Sequence, residues 1–144
     1  MKQQKLLLIA LLALVPVLAS SANFSALTVR EVGNFLTALP TDFHAIRPAA
    51  AKSQIDAIKP TLVDVREASE FKEGHIAGAI NIPIRELPAK IATLPKDQPI
   101  IVYCKIGHRG AMAMLFLRGQ GYNVRSISGG LDGWVAANLP IVKP

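Results

Sequence analysis

Short apolar runs alternate with segments of helical pattern over the second half of the chain. Four runs of four or five residues, rich in Val and Ile, predict buried β-strands at 61–65, 79–82, 100–103 and 123–127. The intervening and following segments predict helices at 68–72, 86–93, 109–118 and from Gly129-Gly130 to Ala137. Strands that alternate with helices indicate an α/β fold with a central parallel sheet and helices on both faces.

The region before these strands predicts two helices and one further strand. Thr28 and Glu31 have the spacing of a capping box, with Thr28 as the N-cap of a helix. Residues 43–46 predict a short strand, which brings the predicted sheet to about five strands. Pro48 suits the first turn of a second helix that runs to about Ile58.

The first 22 residues have the pattern of a cleavable signal peptide. Lys2 and Lys5 precede an apolar run over 6–19, and small residues follow. Cleavage after Ala22 fits this pattern, and cleavage after Ala19 is the alternative. The apolar run is shorter than the roughly 20 residues of a membrane span. We therefore expect an exported bacterial protein, periplasmic or secreted, without stable membrane association after cleavage; a retained anchor is the other interpretation.

The rest of the chain has the size of one domain and a mildly basic charge. Cleavage after Ala22 leaves 122 of the 144 residues, and the formal net charge falls from +6 to +4 because both signal lysines are removed. The basic residues are scattered, whereas nucleic-acid binding needs a patch or stripe of them. We expect no nucleic-acid partner. We divide the chain into a signal peptide at 1–22, an N-terminal helical extension at 23–45 and the α/β domain at 46–144.

The candidate chemistry centres on Cys104, the one cysteine of the sequence. It follows the apolar run at 100–103 and precedes a basic loop that contains Lys105, Gly107 and Arg109. Ligands of parallel α/β sheets bind at the carboxyl ends of the strands. The helix that begins after this loop offers N–H donors and a partial positive charge, which favour a thiolate and would hold an anion.

A single cysteine in an exported protein cannot form an internal disulfide. Cys104 is therefore either an inert, buried core residue or a reactive thiol. Its position between a strand and a helix favours the reactive thiol. Four other side chains are expected to pack in the interior: Phe71, Met112, Met114 and Trp134.

Four segments, in this order, resemble the rhodanese (thiosulfate sulfurtransferase) homology domain in its single-domain form. They are LVDVRE at 62–67, FKEGHIAGAINIP at 71–83, IVYCKIGHR at 101–109 and GGLDGW at 129–134. The resemblance extends from about Ile46 to Pro144. It implies a rhodanese-like α/β fold with a parallel sheet.

The resemblance also implies a two-step transfer of sulfur through Cys104. The thiolate takes the outer sulfur of a small anionic donor such as thiosulfate, sulfite leaves, and a persulfide remains on the protein. A thiophilic acceptor such as cyanide or a thiol then collects the sulfur. No metal or organic cofactor is implied, and the three scattered histidines do not predict a metal site.

The resemblance implies roles for the residues around Cys104. Backbone N–H groups of the loop would hold the persulfide, and Lys105 and Arg109 would add positive charge. The implied substrate-binding residues are Lys105, Ile106, Gly107, His108, Arg109 and Gly110. Three residues of the other segments are expected to be buried polar partners that brace loops near the site: Asp64, Arg66 and His75.

The length of the loop separates this chemistry from that of Cys-based phosphatases with a related fold. Those enzymes need five residues between the cysteine and the arginine. Four residues separate Cys104 from Arg109, and position 110 is Gly110. The tighter loop suits a cysteine that carries an extra sulfur atom, so phosphatase and arsenate reductase activities are disfavoured.

Two functions share this fold and loop. One is an exported sulfurtransferase that uses small donors and acceptors. The other is a non-enzymatic persulfide carrier, in which Cys104 accepts sulfur and passes it to a sulfur-accepting partner protein. Turnover with a small thiophile in the absence of any partner protein would distinguish them.

Overall fold

The computed structural model describes residues 26–39, 41 and 45–143. The chain divides into two compact units, Met1–Leu39 and Pro40–Pro144. In the first unit, helix α1 covers Ala26–Thr37. Thr28 therefore lies inside the helix and the predicted N-cap was wrong, because Ala26 and Leu27 are good helix formers and extend the helix backward. The predicted signal peptide at 1–22 lies outside the described residues.

The second unit is built on a parallel sheet of four strands. Its spatial order is β2-β1-β3-β4, and every neighbouring pair is parallel. The strands are β1 (Thr61–Asp64), β2 (Ile80–Asn81), β3 (Ile100–Tyr103) and β4 (Val124–Ser126). All four residues of β3 are buried, as expected for a central strand of a sheet that is covered on both faces.

Helices connect the strands and cover the sheet, which confirms the predicted α/β architecture. The helices are α2 (Pro48–Ile58), α3 (Ala68–Glu73), α4 (Leu87–Lys90), a 3-10 helix (Ile91–Thr93), α5 (His108–Gly119) and α6 (Gly130–Ala136). Within the described ranges, no helix combines the length and the apolar character that crossing a membrane requires.

The fifth predicted strand is reduced to a single bridge. At 43–46, where a strand was predicted, Ile46 forms one parallel bridge with Ile127, and 43–44 lies outside the described residues. The Ile46 N–H donates to Ser126 O and its carbonyl accepts from Ser128 N–H, both at 2.8 Å. Pairing stops there because α2 begins at Pro48, which has no N–H to donate to a sheet.

Alternate residues of the strands supply two hydrophobic cores on opposite faces of the sheet. Val63, Ile100 and Val102 pack with Met114 and Leu117 of α5 on one face. The other face holds a second cluster: Ile46, Ala51, Leu62, Ile76, Ile101, Tyr103, Ile127, Leu131 and Trp134. This alternation is the period of two expected for strands. Cys104, one position beyond Tyr103, belongs to the α5 face.

The two methionines of α5 have opposite environments. Met114 is 3% exposed and lies in the core, whereas Met112 is 61% exposed. The expectation that Met112 packs in the interior was therefore wrong. Residues two positions apart on a helix point in different directions, so only one of the two faces the sheet.

This pair provides a matched test of the core. Met114→Ala should lower the free energy of unfolding by about 2–5 kcal/mol, because it removes buried methylene groups and leaves a cavity. Met112→Ala should change it by less than about 0.5 kcal/mol. Urea unfolding of both variants measures the difference, and equal losses would contradict the assignment of the α5 face.

Candidate active site

The carboxyl ends of β1 and β3 lie side by side and carry the candidate residues. Asp64 and Tyr103 are register partners, and Val65 N–H donates to Tyr103 O at 2.9 Å. Arg66 and Cys104 each follow within two residues of this pair. The segment after β4 begins beside β3, where Ile127 N–H donates to Val102 O at 3.0 Å. Three strand ends therefore meet at one edge of the sheet.

Cys104 is buried, and its sulfur is held by its own loop. The side chain is 1% exposed, and the Gly107 N–H donates to Sγ at an N–S distance of 3.1 Å. Gly107 has φ +106 and is the N-cap of α5, which begins at His108, one residue before the predicted start. A positive φ of this size suits glycine. The first N–H groups of α5 lack acceptors within the helix and are available to an anion.

The beginning of α6 fixes the other side of this loop. Leu131 N–H donates to Cys104 O at 2.7 Å, and Asp132 N–H donates to Lys105 O at 2.9 Å. In a trans peptide the N–H points opposite to the C=O. The N–H groups of Lys105 and Ile106 therefore point away from α6, and with the Gly107 N–H they form a set of donors inside the loop.

Gly130 allows this close approach of α6 to the loop. A Cβ at Gly130 would overlap Cys104 O and would lie 2.6 Å from Lys105 O. Its φ is +58, a conformation that also favours glycine. No other residue type fits without displacing the carbonyls that α6 holds.

Gly110 allows a second close approach, between α5 and the sheet. A Cβ at this position would lie 2.8 Å from Ser126 Oγ and 3.5 Å from Tyr103 Cα. The residue is buried. Gly110 thus brings the start of α5 against the ends of β3 and β4, which places the loop of Cys104.

Arg109 is held by a carboxylate that sequence reasoning missed. Its two terminal nitrogens donate to the two carboxylate oxygens of Glu70 in α3, at 2.7 and 2.9 Å. The bond to Arg109 lowers the pKa of Glu70 from its ordinary value near 4.5 to about 2. The pKa of Arg109 is raised, chiefly by Glu70 and further by the Cys104 sulfur. The Arg109 guanidinium is therefore paired with Glu70 and lies within electrostatic range of the Cys104 sulfur.

The remaining side chains of the loop face outward. Lys105, Ile106 and His108 are exposed. Lys105 lines a cavity next to the loop, together with Glu70. The predicted contributions of these three side chains to substrate binding stay predictions, since the structure places them on the surface of the loop.

Asp64 and Arg66 form a buried ion pair at the end of β1. Arg66 Nε and one terminal nitrogen donate to the Asp64 carboxylate at 2.6–3.0 Å, and the terminal nitrogen also donates to Gly74 O at 2.7 Å. Burial lowers the pKa of Arg66, but hydrogen bonds and charge from Asp64 outweigh it, so that the pKa is raised. Asn81, which sequence reasoning also missed, donates to Asp64 O and Arg66 O at 3.0 and 2.9 Å.

The segment 71–76 is held in place by contacts of His75 and Tyr103. The His75 ring stacks on Phe71 with 3.7 Å between ring centroids, and Nδ1 lies 3.0 Å from Phe71 O. The Tyr103 hydroxyl accepts from Ile76 N–H at 3.1 Å, and burial raises the pKa of Tyr103. The hydrogen bond from Ile76 to Tyr103 ties this segment to β3. Among residues 26–39, 41 and 45–143, no group of three or more metal-ligating side chains lies together.

Comparisons with known proteins agree with this geometry. The profile of the Rhodanese-like domain family matches residues 47–137. A sulfurtransferase of Allochromatium vinosum is 37% identical over 84 residues, which are 58% of this chain and 78% of that protein. The thiosulfate sulfurtransferase GlpE of Stutzerimonas stutzeri is 37% identical over 95 residues, covering 65% and 86% of the two chains. The crystal structure of a rhodanese-related protein from Thermoplasma volcanium superposes with a TM-score of 0.66 at 38% identity, covering 70% and 99%.

The steric effect of a side chain at Gly130 can be separated experimentally from the effect of backbone strain alone. Gly121→Ala meets no atom within 4 Å at φ +84, so it should cost only the left-handed strain of about 1–2 kcal/mol. Gly130→Ala adds a steric clash with two carbonyls and should cost about 1–3 kcal/mol more. It should also accelerate alkylation of Cys104 by iodoacetamide, because the loop must move. Similar unfolding energies and similar alkylation rates would contradict this role of Gly130.

The Glu70–Arg109 pair should make stability depend on acid pH. Because folding lowers the pKa of Glu70, its contribution is fully present above about pH 5 and is lost as the pH falls towards 2. Since the pair is partly exposed, Glu70→Gln should lower the free energy of unfolding by about 0.5–1 kcal/mol at pH 7. The difference should vanish near pH 2 in urea titrations. Glu73→Gln, on the same helix, is the control, and an equal pH dependence in both variants would contradict the pair.

Proposed function

This chain belongs to the rhodanese-like domain family of sulfurtransferases, and we propose that it transfers sulfane sulfur through a persulfide on Cys104. The position of the Cys104 sulfur is the observation that carries the proposal. It lies after a central strand, accepts the Gly107 N–H and is within electrostatic range of the Arg109 guanidinium. Such an arrangement suits a sulfur nucleophile that becomes a larger anion during the reaction.

In the first step, Cys104 attacks the outer sulfur of thiosulfate or a similar donor. A bond forms between Sγ and the outer sulfur, and the sulfur–sulfur bond of thiosulfate breaks. The electron pair of that bond leaves with sulfite, so no external oxidant or reductant is needed. The N–H groups of Lys105, Ile106 and Gly107 would stabilise the charge on the new terminal sulfur.

Arg109 would hold the anionic part of the donor. Its guanidinium is fixed in orientation by two hydrogen bonds to Glu70, and it retains further N–H groups for a ligand because a guanidinium carries five donors. Lys105 is exposed beside the loop and adds positive charge near its entrance.

In the second step, a thiophilic acceptor such as cyanide or a thiolate attacks the terminal sulfur. The bond to Sγ breaks, and its electron pair regenerates the Cys104 thiolate. A 1% exposed thiol at the base of a tight loop favours small donors and acceptors over direct contact with a bulky group. The low exposure of the thiol therefore supports an enzyme that turns over with small molecules.

We also propose that the protein acts outside the cytoplasm, on the basis of the predicted signal peptide at 1–22. N-terminal sequencing of the protein from the extracytoplasmic fraction of its bacterial host tests this part. A mature protein that begins with Asn23, or with Ser20 after the alternative cleavage, supports it. A chain that retains Met1 in the cytoplasmic fraction would contradict it.

Intact mass spectrometry tests the persulfide directly. After incubation with thiosulfate and removal of excess donor, the protein should gain the mass of one sulfur atom. Addition of cyanide should remove that mass and release thiocyanate, with repeated turnover when both substrates are present. Cys104→Ser, which preserves the size and polarity of the side chain, should form no adduct and release no thiocyanate.

The other outcomes of this assay separate the alternatives. An adduct that persists with cyanide and small thiols, but is discharged by a partner protein, would favour the carrier. A free thiol that never gains sulfur would contradict both sulfur-transfer functions and leave Cys104 as a core residue.

A further inference from the structure

A cavity of about 270 Å³ adjoins the Cys104 loop, and the sulfur-transfer steps at Cys104 leave it without a ligand. It lies between α3, the start of α6, the beginning of the loop and the C-terminal segment that contains Ile141 and Lys143. Its volume is slightly below the range of about 300–1,000 Å³ that is typical of small-molecule sites. A ligand for it must therefore be small.

The charges around this cavity are balanced. Arg66 and Glu70 line it, but each is already neutralised by a partner, Asp64 and Arg109 respectively. Four further charged side chains line it and form no ion pair among the residues that the structure describes: Glu73, Lys105, Asp132 and Lys143. These two cations and two carboxylates suit a ligand that carries both charges better than they suit a dianion.

The cavity shares Lys105 with the loop that carries Cys104. Lys105 lines the cavity, directly follows Cys104 and accepts the Asp132 N–H. Glu70 also lines the cavity and accepts two hydrogen bonds from Arg109, whose guanidinium is within electrostatic range of the sulfur. A small molecule in the cavity therefore lies next to the loop on which the persulfide would form.

We propose that this cavity is the acceptor subsite, and that it takes a low-molecular-weight thiol bearing both an ammonium and a carboxylate group, such as cysteine. The proposal rests on the function proposed above. Lys143 would pair with the carboxylate of the acceptor, and Glu73 would pair with its ammonium. The acceptor thiolate attacks the terminal sulfur of the persulfide, a new sulfur–sulfur bond forms, and the electron pair of the broken bond returns to Cys104.

A series of acceptors that differ only in charge tests the subsite. The probes are cysteine, cysteamine, which lacks the carboxylate, and 3-mercaptopropionate, which lacks the ammonium. Rates of persulfide discharge are compared per thiolate, so that differences in thiol ionisation cancel. Cysteine should show a kcat/KM about three- to tenfold above both single-charge thiols, the range that one partly exposed charge pair supplies.

Two substitutions should separate the two charge contacts. Lys143→Gln should slow cysteine and 3-mercaptopropionate about three- to tenfold and leave cysteamine unchanged. Glu73→Gln should slow cysteine and cysteamine and leave 3-mercaptopropionate unchanged. Discharge by cyanide, which has no group for either contact, should be unchanged in both variants.

Matched controls come from the opposite edge of the sheet. Lys59→Gln and Asp97→Asn remove the same kinds of charge from exposed positions before β1 and β3. Neither should change the acceptor preference. Equal rates for the three thiols in the unmodified protein, or cavity variants that match these controls, would overturn the subsite.

Binding of an unreactive analogue separates this proposal from the one on which it rests. Isothermal titration of the Cys104→Ala variant with S-methylcysteine should give saturable binding that Lys143→Gln weakens. Absence of binding would overturn the subsite, even where sulfur transfer to cyanide proceeds. Binding together with a Cys104 that never gains sulfur would count against the proposed function and not against the ligand class of the cavity.

Discussion

The two hydrogen bonds from the start of α6 to the carbonyls of Cys104 and Lys105 set the conformation of the loop between β3 and α5. Because these carbonyls are turned towards α6, the N–H groups of the same peptide planes point the other way. This orientation gives the set of N–H donors inside the loop, which includes the Gly107 N–H that donates to Sγ. Gly130 is required at the contact because a Cβ would clash with the Cys104 carbonyl oxygen.

The two arginines at the site, Arg66 and Arg109, each form an ion pair with a carboxylate. Arg66 is neutralised by Asp64 in the interior, and Arg109 by Glu70 at the edge of the loop. A buried arginine without a partner would be costly, whereas the paired arginine can brace the turn after β1 through Gly74. Positive charge near the sulfur is therefore local and oriented, and the selectivity for an anionic donor that we propose would rest on the geometry of N–H groups rather than on a strongly basic surface.

The sequence allowed prediction of the elements whose signals are local. The strands at 61–65 and 100–103 are apolar and β-branched, and the position of Cys104 between β3 and α5 follows from the order of segments. The contacts that depend on the tertiary arrangement were missed. Glu70 and Arg109 are 39 positions apart, and Asn81 reaches the backbone of the neighbouring strand. The environment of Met112 and the extent of the strand at 43–46 also depend on the tertiary arrangement. Hydrophobicity alone does not tell which face of a helix is covered or where strand pairing ends.

The most direct measurement is the position of the sulfur atom that we propose Cys104 accepts. Long-wavelength X-ray data from a crystal of the thiosulfate-loaded protein would place every sulfur atom by its anomalous signal. The proposed mechanism predicts a second sulfur peak about 2.05 Å from Cys104 Sγ, inside the loop and within hydrogen-bonding reach of the backbone N–H groups of 105–107. A loaded protein whose additional sulfur lies outside the loop, turned away from these N–H groups, would contradict it.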